Sequence, residues 1–281
     1  MADESFDRVE LHDVAIVGGG CYGTFYAGQM LRARERGKVR YRRLLIVDRN
    51  PACRFAAEIG PSQDVELVLA EWGDFFDGWL GAARHAGDTI VPSPLMPHLM
   101  YQWLVRRAEA RWPDRTVEQR PLTAPIGTPY DTAAPDGTRY VSFADWLCPT
   151  HCVEPAICPI TRAPRTWEMS DAIEQLTGRL DRGAPTAGPA LFVCRHRVYG
   201  VGMFDVAAVL EGDRVVVEAG NRGGEVDVVV GTVSGCHGAV SLLHLGARGT
   251  PARSIFGQDI EPSPRRVAER RNDHGILGGA V

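Results

Sequence analysis

Two stretches of this chain hold residues whose types and spacing can do chemistry. In the first, D-V-A-I-V-G-G-G-C-Y-G-T, Gly18, Gly20 and Gly23 stand in G-x-G-x-x-G spacing. The first glycine of such a run allows a tight turn. The second lets backbone approach a pyrophosphate, and the third lets a helix pack closely on a strand. Gly19, Cys21 and Tyr22 complete the loop, with Cys21 at a helix start, where a thiol's pKa falls in principle but where a residue more often lines the nucleotide pocket. Asp48, 25 residues after Gly23, closes a second apolar run, L-L-I-V-D, where an acid can accept hydrogen bonds from ribose hydroxyls; Arg49 beside it is the residue that would suit a 2′-phosphate. The second stretch is W-L-C-P-T-H-C-V-E-P-A-I-C-P-I-T-R. Cys148, Cys152 and Cys158 are separated by three and five residues, with His151 between them and prolines at 149, 155 and 159. Thiolates packed this densely repel unless protonated, oxidised or bound to a cation, and soft sulfur suits zinc or an iron–sulfur cluster. Redox thiols and plain buried cysteines are the other readings.

The elements around the first stretch follow from its pattern. Val14–Val17 is a short continuous apolar run, as a strand buried on both faces would be. Tyr22, Phe25, Tyr26, Met30 and Leu31 recur at near-helical spacing, Gly37 stops the helix, and Arg32–Lys38 supply positive charge to its C-terminal end. Leu44–Val47 is the next strand. With strand, loop, helix, strand and acid in order over residues 13–48, this segment resembles the broad family of Rossmann dinucleotide-binding proteins. The resemblance implies that Gly18, Gly20, Gly23 and Asp48 hold a dinucleotide. NAD leads because Asp48 favours an unphosphorylated ribose, and FAD and NADP are the alternatives.

The C-P-x-x-C-V piece of the second stretch is similar to the end of ferredoxin cluster motifs, but the repeated C-x-x-C spacing of those proteins is absent. Three cysteines leave a fourth ligand to come from His151, Glu154 or the distant Cys236-His237 pair. Cys194, ahead of Arg195-His196-Arg197, reads as part of a strand whose arginines could meet an anion. No G-x-S-x-G, H-E-x-x-H or Walker lysine occurs, so a nucleophile-based hydrolase has no support. His98, His151, His196 and His237 are the candidate acids or bases.

Composition bounds the rest. The 281 residues are 44% hydrophobic with net charge −4, which gives no reason to expect nucleic acid. No apolar stretch approaches a membrane span, and the acidic start M-A-D-E-S-F-D is unlike a secretory signal, so a cytoplasmic protein with free thiols is expected. Further along, the sequence predicts helices over 74–80, 97–111, 171–180 (capped by Ser170) and 204–210. It predicts strands over 65–70, 191–201, 215–218 and 226–230, a hairpin turning at Pro135-Asp136-Gly137, and a mobile connection at 183–189.

The expected fold is therefore α/β. A Rossmann-like, mostly parallel sheet occupies 1–115, a β-rich region with the cysteine loop (116–250) completes the sheet or covers the site, and 251–281 form a flexible tail. The expected function is an NAD(P)- or FAD-dependent oxidoreductase with a cysteine-ligated metal or iron–sulfur site. It would act on a small molecule or redox partner, with self-association left open. A nucleotide-sensing regulatory domain of the potassium-uptake type and a metal or redox sensor are the non-enzymatic alternatives.

Overall fold

The computed structural model describes residues 8–82, 84–149, 152–180 and 184–249. His151 and the expected tail, 250–281, lie outside the described residues. In chain order the first half forms β1 (Val9–Glu10), β2 (Asp13–Val17), α1 (Cys21–Glu35), β3 (Val39–Arg40), β4 (Arg43–Asp48), α2 (Arg54–Glu58), β5 (Val65–Leu69), α3 (Trp72–Gly81), β6 (Thr89–Val91) and α4 (Leu99–Arg111). The second half forms β7 (Val117–Arg120), β8 (Tyr130–Ala133), β9 (Arg139–Ser142), α5 (Met169–Thr177), β10 (Thr186–Val193), β11 (Arg195–Val198), β12 (Val201–Asp205), α6 (Val206–Asn221), β13 (Val226–Val233) and β14 (His237–Leu245).

The chain is an α/β protein with two six-stranded sheets. The first runs β11-β12-β6-β2-β4-β5; its four strands from β6 to β5 are parallel, and the β11–β12 hairpin joins β6 antiparallel. Residues 195–205 thus return from the second half to extend the first sheet. β2 is buried at every position because helices cover both of its faces. The second sheet runs β10-β13-β14-β9-β8, with β7 also paired to β14, and only its β10–β13 pair is parallel.

Three apolar clusters stack these elements into five layers. Val14 and Ile16 face Ala27 and Met30 of α1 and Phe55 of α2. Ala15 and Val17 face α3, α4 and α6, whose Phe76, Trp103 and Val216 also meet Val228 and Val230 of β13. The other face of the second sheet packs Val229 and Val233 on Ile173 and Leu176 of α5. No helix among the described residues is long and apolar enough to cross a membrane.

Several local expectations need correction. Val215–Glu218 is not a strand; it lies, with Gly212 and Asp213, within α6. The β-branched V-V-V run reads as a strand locally, but α6 is held by tertiary packing, which overrides propensity. Gly212 lets the ring of Phe192 approach the helix, since a Cβ there would stand 2.8 Å from it. Asp213 is buried and accepts from Arg107 and Arg111 of α4 at 2.8–3.1 Å. Ser170 does not cap α5, which starts at Met169 with its N–H on the carbonyl of Gly235. Of the expected mobile connection, Thr186 onward is β10, paired to β13.

At the end of β2 away from the glycines, Asp13 accepts from Arg42 and Arg43, and Asp88 accepts from His12 at 2.7 Å and from the backbone of Asp13 and His85. Burial opposes ionisation of Asp13, but the hydrogen bonds from Arg43 and Arg42 outweigh it and hold its carboxyl below the usual carboxylate range. A carboxyl whose folded pKa is depressed stabilises the fold above its unfolded value of about 3.9 and loses that contribution as pH falls through the folded value. Urea unfolding should therefore show stability dropping below about pH 4. Asp13→Asn should cost about 2 kcal/mol at pH 7 and flatten that acid slope. The figure lies below the usual cost of breaking a buried pair because both guanidiniums, 51% and 40% exposed, regain water. An unchanged acid slope in Asp13→Asn would show that other carboxyls carry the effect.

Candidate functional site

The glycine loop leaves the C-terminal end of β2, in the middle of the parallel strands. The register of β2 with β4, Val17 opposite Val47, brings Asp48 beside it. Gly18 has φ +86°, a left-handed conformation that favours glycine. A Cβ at Gly23 would overlap the Gly18 carbonyl oxygen, whereas one at Gly20 would meet nothing within 4 Å. Gly19 lets the Cys53 thiol pack under the loop and donates its N–H to Asp48 Oδ2 at 2.6 Å; the other oxygen, Oδ1, accepts from Asn50 N–H at 2.8 Å. No side chain caps α1 and no acid stands in its first turn. Cys21 and Tyr22 are exposed at that helix start, and Arg49 is paired with Glu71 at 3.2 Å on the surface.

A cavity of about 550 Å³ lies next to this loop, and one of about 430 Å³ adjoins it. The first runs along α1 past Cys21, Tyr22 and Phe25. The second lies under the cysteine loop and the β6–α4 connection. Tyr26, Cys152 and His196 line both. The cysteine loop therefore sits on the glycine-loop side of the sheet. A larger cavity, about 1110 Å³, opens between α3, α4 and β7, but no thiol or imidazole is among its described lining residues.

Cys148 and Cys152 line the 430 Å³ cavity, and Cys158 does not. The Cys158 thiol is turned toward Thr161, whose backbone and side-chain hydrogen bonds lower its pKa. Burial, then the neighbouring Cys152 and Cys158, push Cys148 up. Glu154, considered as a fourth ligand, is committed elsewhere. At φ +51° its carboxylate accepts from Ser234 Oγ at 2.5 Å and from the N–H groups of Gly235 and Cys236 at 2.7 and 3.2 Å. This clamp ties the cysteine loop to the β13–β14 turn. Gly235 fits between Glu154 and the guanidinium of Arg165, where a Cβ would collide with both. Cys236 receives the Trp167 indole N–H at 3.3 Å, and burial pushes its thiol up to about 11.

Fold rather than sequence proximity adds Cys194, His196 and His237 to the wall. Cys194 is where the chain crosses from the second sheet to the first, and burial drives its thiol up to about 12. The i, i+2 spacing of Cys194 and His196 was the available signal, since strand alternation sends such a pair to one side. His237 Nδ1 is 2.9 Å from Ser142 Oγ, and burial lowers its pKa. Arg197, expected as an anion ligand, is engaged by Asp205 at 2.6–2.8 Å. His98 is buried against Tyr101, does not line the cavity, and is driven down to about 4 by burial.

Among the described residues, His12, Asp13 and Asp88 are the three potential ligands whose donor atoms lie within 4.8 Å of one another. Arg42 and Arg43 already neutralise Asp13, and Arg84 stands 3.7 Å from Asp88. A cation placed there would face three guanidiniums, so this group is an ion-pair clamp.

Neither the curated proteins nor the solved structures contain a match to this chain. A family model, AF_1314_C, described as an uncharacterized protein's C-terminal domain, matches residues 100–246. The match takes in the cysteine loop, both histidines of the cavity and the whole second sheet, and begins within α4, beyond the glycine loop. Covering more than half of the 281 residues, it identifies this chain as a member of the AF_1314_C family.

Proposed function

We propose that this protein is a dinucleotide-dependent oxidoreductase with a Rossmann-like N-terminal region, and that it holds NAD with the pyrophosphate over Gly18–Gly23. The observation that carries the reading is the division of labour among the glycines: Gly23 is closed by backbone, while Gly20 faces open space at an uncapped helix start. A helix N-terminus with free volume beside it suits a phosphate. Asp48 is braced by Gly19 and Asn50 and keeps lone pairs for ribose hydroxyls. Arg49 is engaged with Glu71, which favours NAD over NADP. When bound, the nicotinamide supplies hydride chemistry. The chain's own part is to shape the adjoining cavities, where His196 and His237 are the imidazoles able to carry a proton. FAD is the alternative dinucleotide, and a flavin absorption spectrum in the purified protein would favour it.

Gly20→Val tests the reading. A Cβ there meets no protein atom within 4 Å, so the fold should persist while the volume needed by phosphate is filled. NADH affinity by calorimetry should fall roughly a hundredfold, about 2.7 kcal/mol, and wild-type protein should prefer NADH to NADPH. Equal NADH affinity in Gly20→Val and wild type would refute the assignment.

A further inference from the structure

We propose that the cavity of about 1110 Å³ between α3, α4 and β7 binds an organic cation, an amine carried on an apolar body. Trp72 and the carboxylates of Asp74 and Glu109 are its recognition groups. The site is separate from the dinucleotide reading and does not depend on it.

The wall comes first. Trp72, Phe76, Leu99, Trp103, Val105 and Trp112 line the cavity, a mainly apolar and aromatic surface of the kind that takes small molecules. An apolar ligand body gains by leaving water there. Two of the tryptophans are fixed by the fold before anything binds. Trp72 donates its indole N–H to the Val47 carbonyl at 3.0 Å, and Trp112 packs against Gly220, where a Cβ would collide with its ring.

Charge then selects among apolar ligands. Among the described lining residues are four carboxylates, Glu71, Asp74, Glu109 and Glu118, and two guanidiniums, Arg106 and Arg115. Both guanidiniums are engaged. Arg115 donates to four backbone carbonyls. Arg106 lies against Gly73 and stands 3.6 Å from Asp77, which borders a different cavity. Glu71 is paired with Arg49 at 3.2 Å, and Glu118 with Arg120 at 3.0 Å. The carboxylates of Asp74 and Glu109 have no hydrogen bond or ion pair among the described residues. The charge left unpaired on the lining is therefore two negatives and no positive. It attracts a cation and opposes a fatty acid or a phosphate ester.

The third argument is the aromatic faces. Arg107 lies 4.8 Å from the centre of the Trp103 ring, and Arg111 and Arg115 lie 5.5 and 5.6 Å from that of Trp112. Trp72 is the tryptophan of this wall with no guanidinium over it among the described residues, and it is half-buried, two residues before Asp74. An ammonium beside Trp72 gains the attraction of the ring quadrupole together with that of the unpaired carboxylates.

Three probes that share one body test this: 4-phenylbutylamine, 4-phenylbutanol and 4-phenylbutyrate, titrated into the full chain with calorimetry and tryptophan fluorescence as readouts. The amine should bind about tenfold more tightly than the alcohol, and the carboxylate more weakly than either. Asp74→Asn combined with Glu109→Gln should bring the amine to within about threefold of the alcohol and leave the alcohol unchanged. Both side chains are exposed, so the fold should persist. Neutralising Asp171 and Glu174 on α5 instead changes the net charge equally and should leave amine binding as in wild type. Equal affinity for amine and carboxylate overturns the proposal. So does failure of the amine to bind at millimolar concentration, or an unaltered amine affinity in the Asp74→Asn, Glu109→Gln variant. Equal weakening by the α5 pair also overturns it, because the effect would then come from net charge and not from this cavity.

Discussion

Gly23→Val is expected to unfold the N-terminal half of the chain at temperatures where Gly20→Val remains native. The two positions lie three residues apart in one loop, yet their surroundings are opposite. At Gly23 a Cβ would overlap the carbonyl oxygen of Gly18 and lie 2.8 Å from its carbonyl carbon. Both atoms are backbone, so no side-chain rotation relieves the contact. Gly18 cannot move away easily, because its N–H is bonded to the Val47 carbonyl and its left-handed φ sets the turn. Relief would require α1 to lift off β2, exposing Ala27 and Met30, which pack on Val14 and Ile16. The cost is on the order of 3–5 kcal/mol, the upper end of what overpacking produces. Circular dichroism melts of the two variants check this. Equal melting temperatures would mean that the helix is not held against the loop in this way.

The glycine loop was legible because everything that defines it is contiguous. Strand, turn, helix, strand and acid occupy residues 13–48, and each obeys a local rule of period or conformation. The Pro135-Asp136-Gly137 hairpin was legible for the same reason, with β8 and β9 flanking it as the turn chemistry required. The cavity under the cysteine loop was not. Its wall is assembled from positions 148, 152, 194, 196 and 237, which meet because the chain leaves the second sheet at Cys194, adds a hairpin to the first, and returns through α6. Nothing local encodes that crossing. Nor did the density of cysteines tell which thiols share a wall: Cys148 and Cys152 line the cavity, while Cys158 does not and is hydrogen-bonded at Thr161.

Glu154 and α6 illustrate two further ways in which sequence reading loses information. An acid among cysteines reads as a ligand, but its carboxylate is fully occupied by a turn eighty residues away. The V-V-V of α6 reads as strand by propensity, yet Val216 is buried in the cluster that α6 shares with both sheets, and Asp213 is paired across to α4. In both cases the deciding partner is distant in the chain, and local pattern carries no trace of it.

Arg115→Ala is expected to destabilise the protein by about 3–5 kcal/mol, although Arg115 stands in an unremarked W-P-D-R connection. Its residue is 1% exposed. Its guanidinium donates to four backbone carbonyls: Gly220 at the end of α6, Gly224 in the following turn at 2.7 Å, Leu245 at the end of β14 at 3.4 Å, and Gly246 just beyond it at 2.6 Å. It also lies 5.6 Å from the centre of the Trp112 ring. Burial opposes its charge, but a helix C-terminus is a favourable place for a cation, and the planar fork meets several carbonyls at once. Alanine would strand those carbonyls in a site that water does not readily reach, at a cost of about 1–3 kcal/mol for each group left unsatisfied. Lysine should recover only part, since its three donors radiate from one atom and cannot span carbonyls on separate elements. Arg214 is the control. It pairs with Glu211 and Glu218 on the exposed side of α6, so Arg214→Ala should change stability by no more than about 0.5 kcal/mol. Urea unfolding of the three variants measures the difference. Equal midpoints for Arg115→Ala and Arg214→Ala would mean that water replaces the guanidinium among the four carbonyls, and that the junction of α6 with β14 is held by Trp112 packing against Gly220 instead.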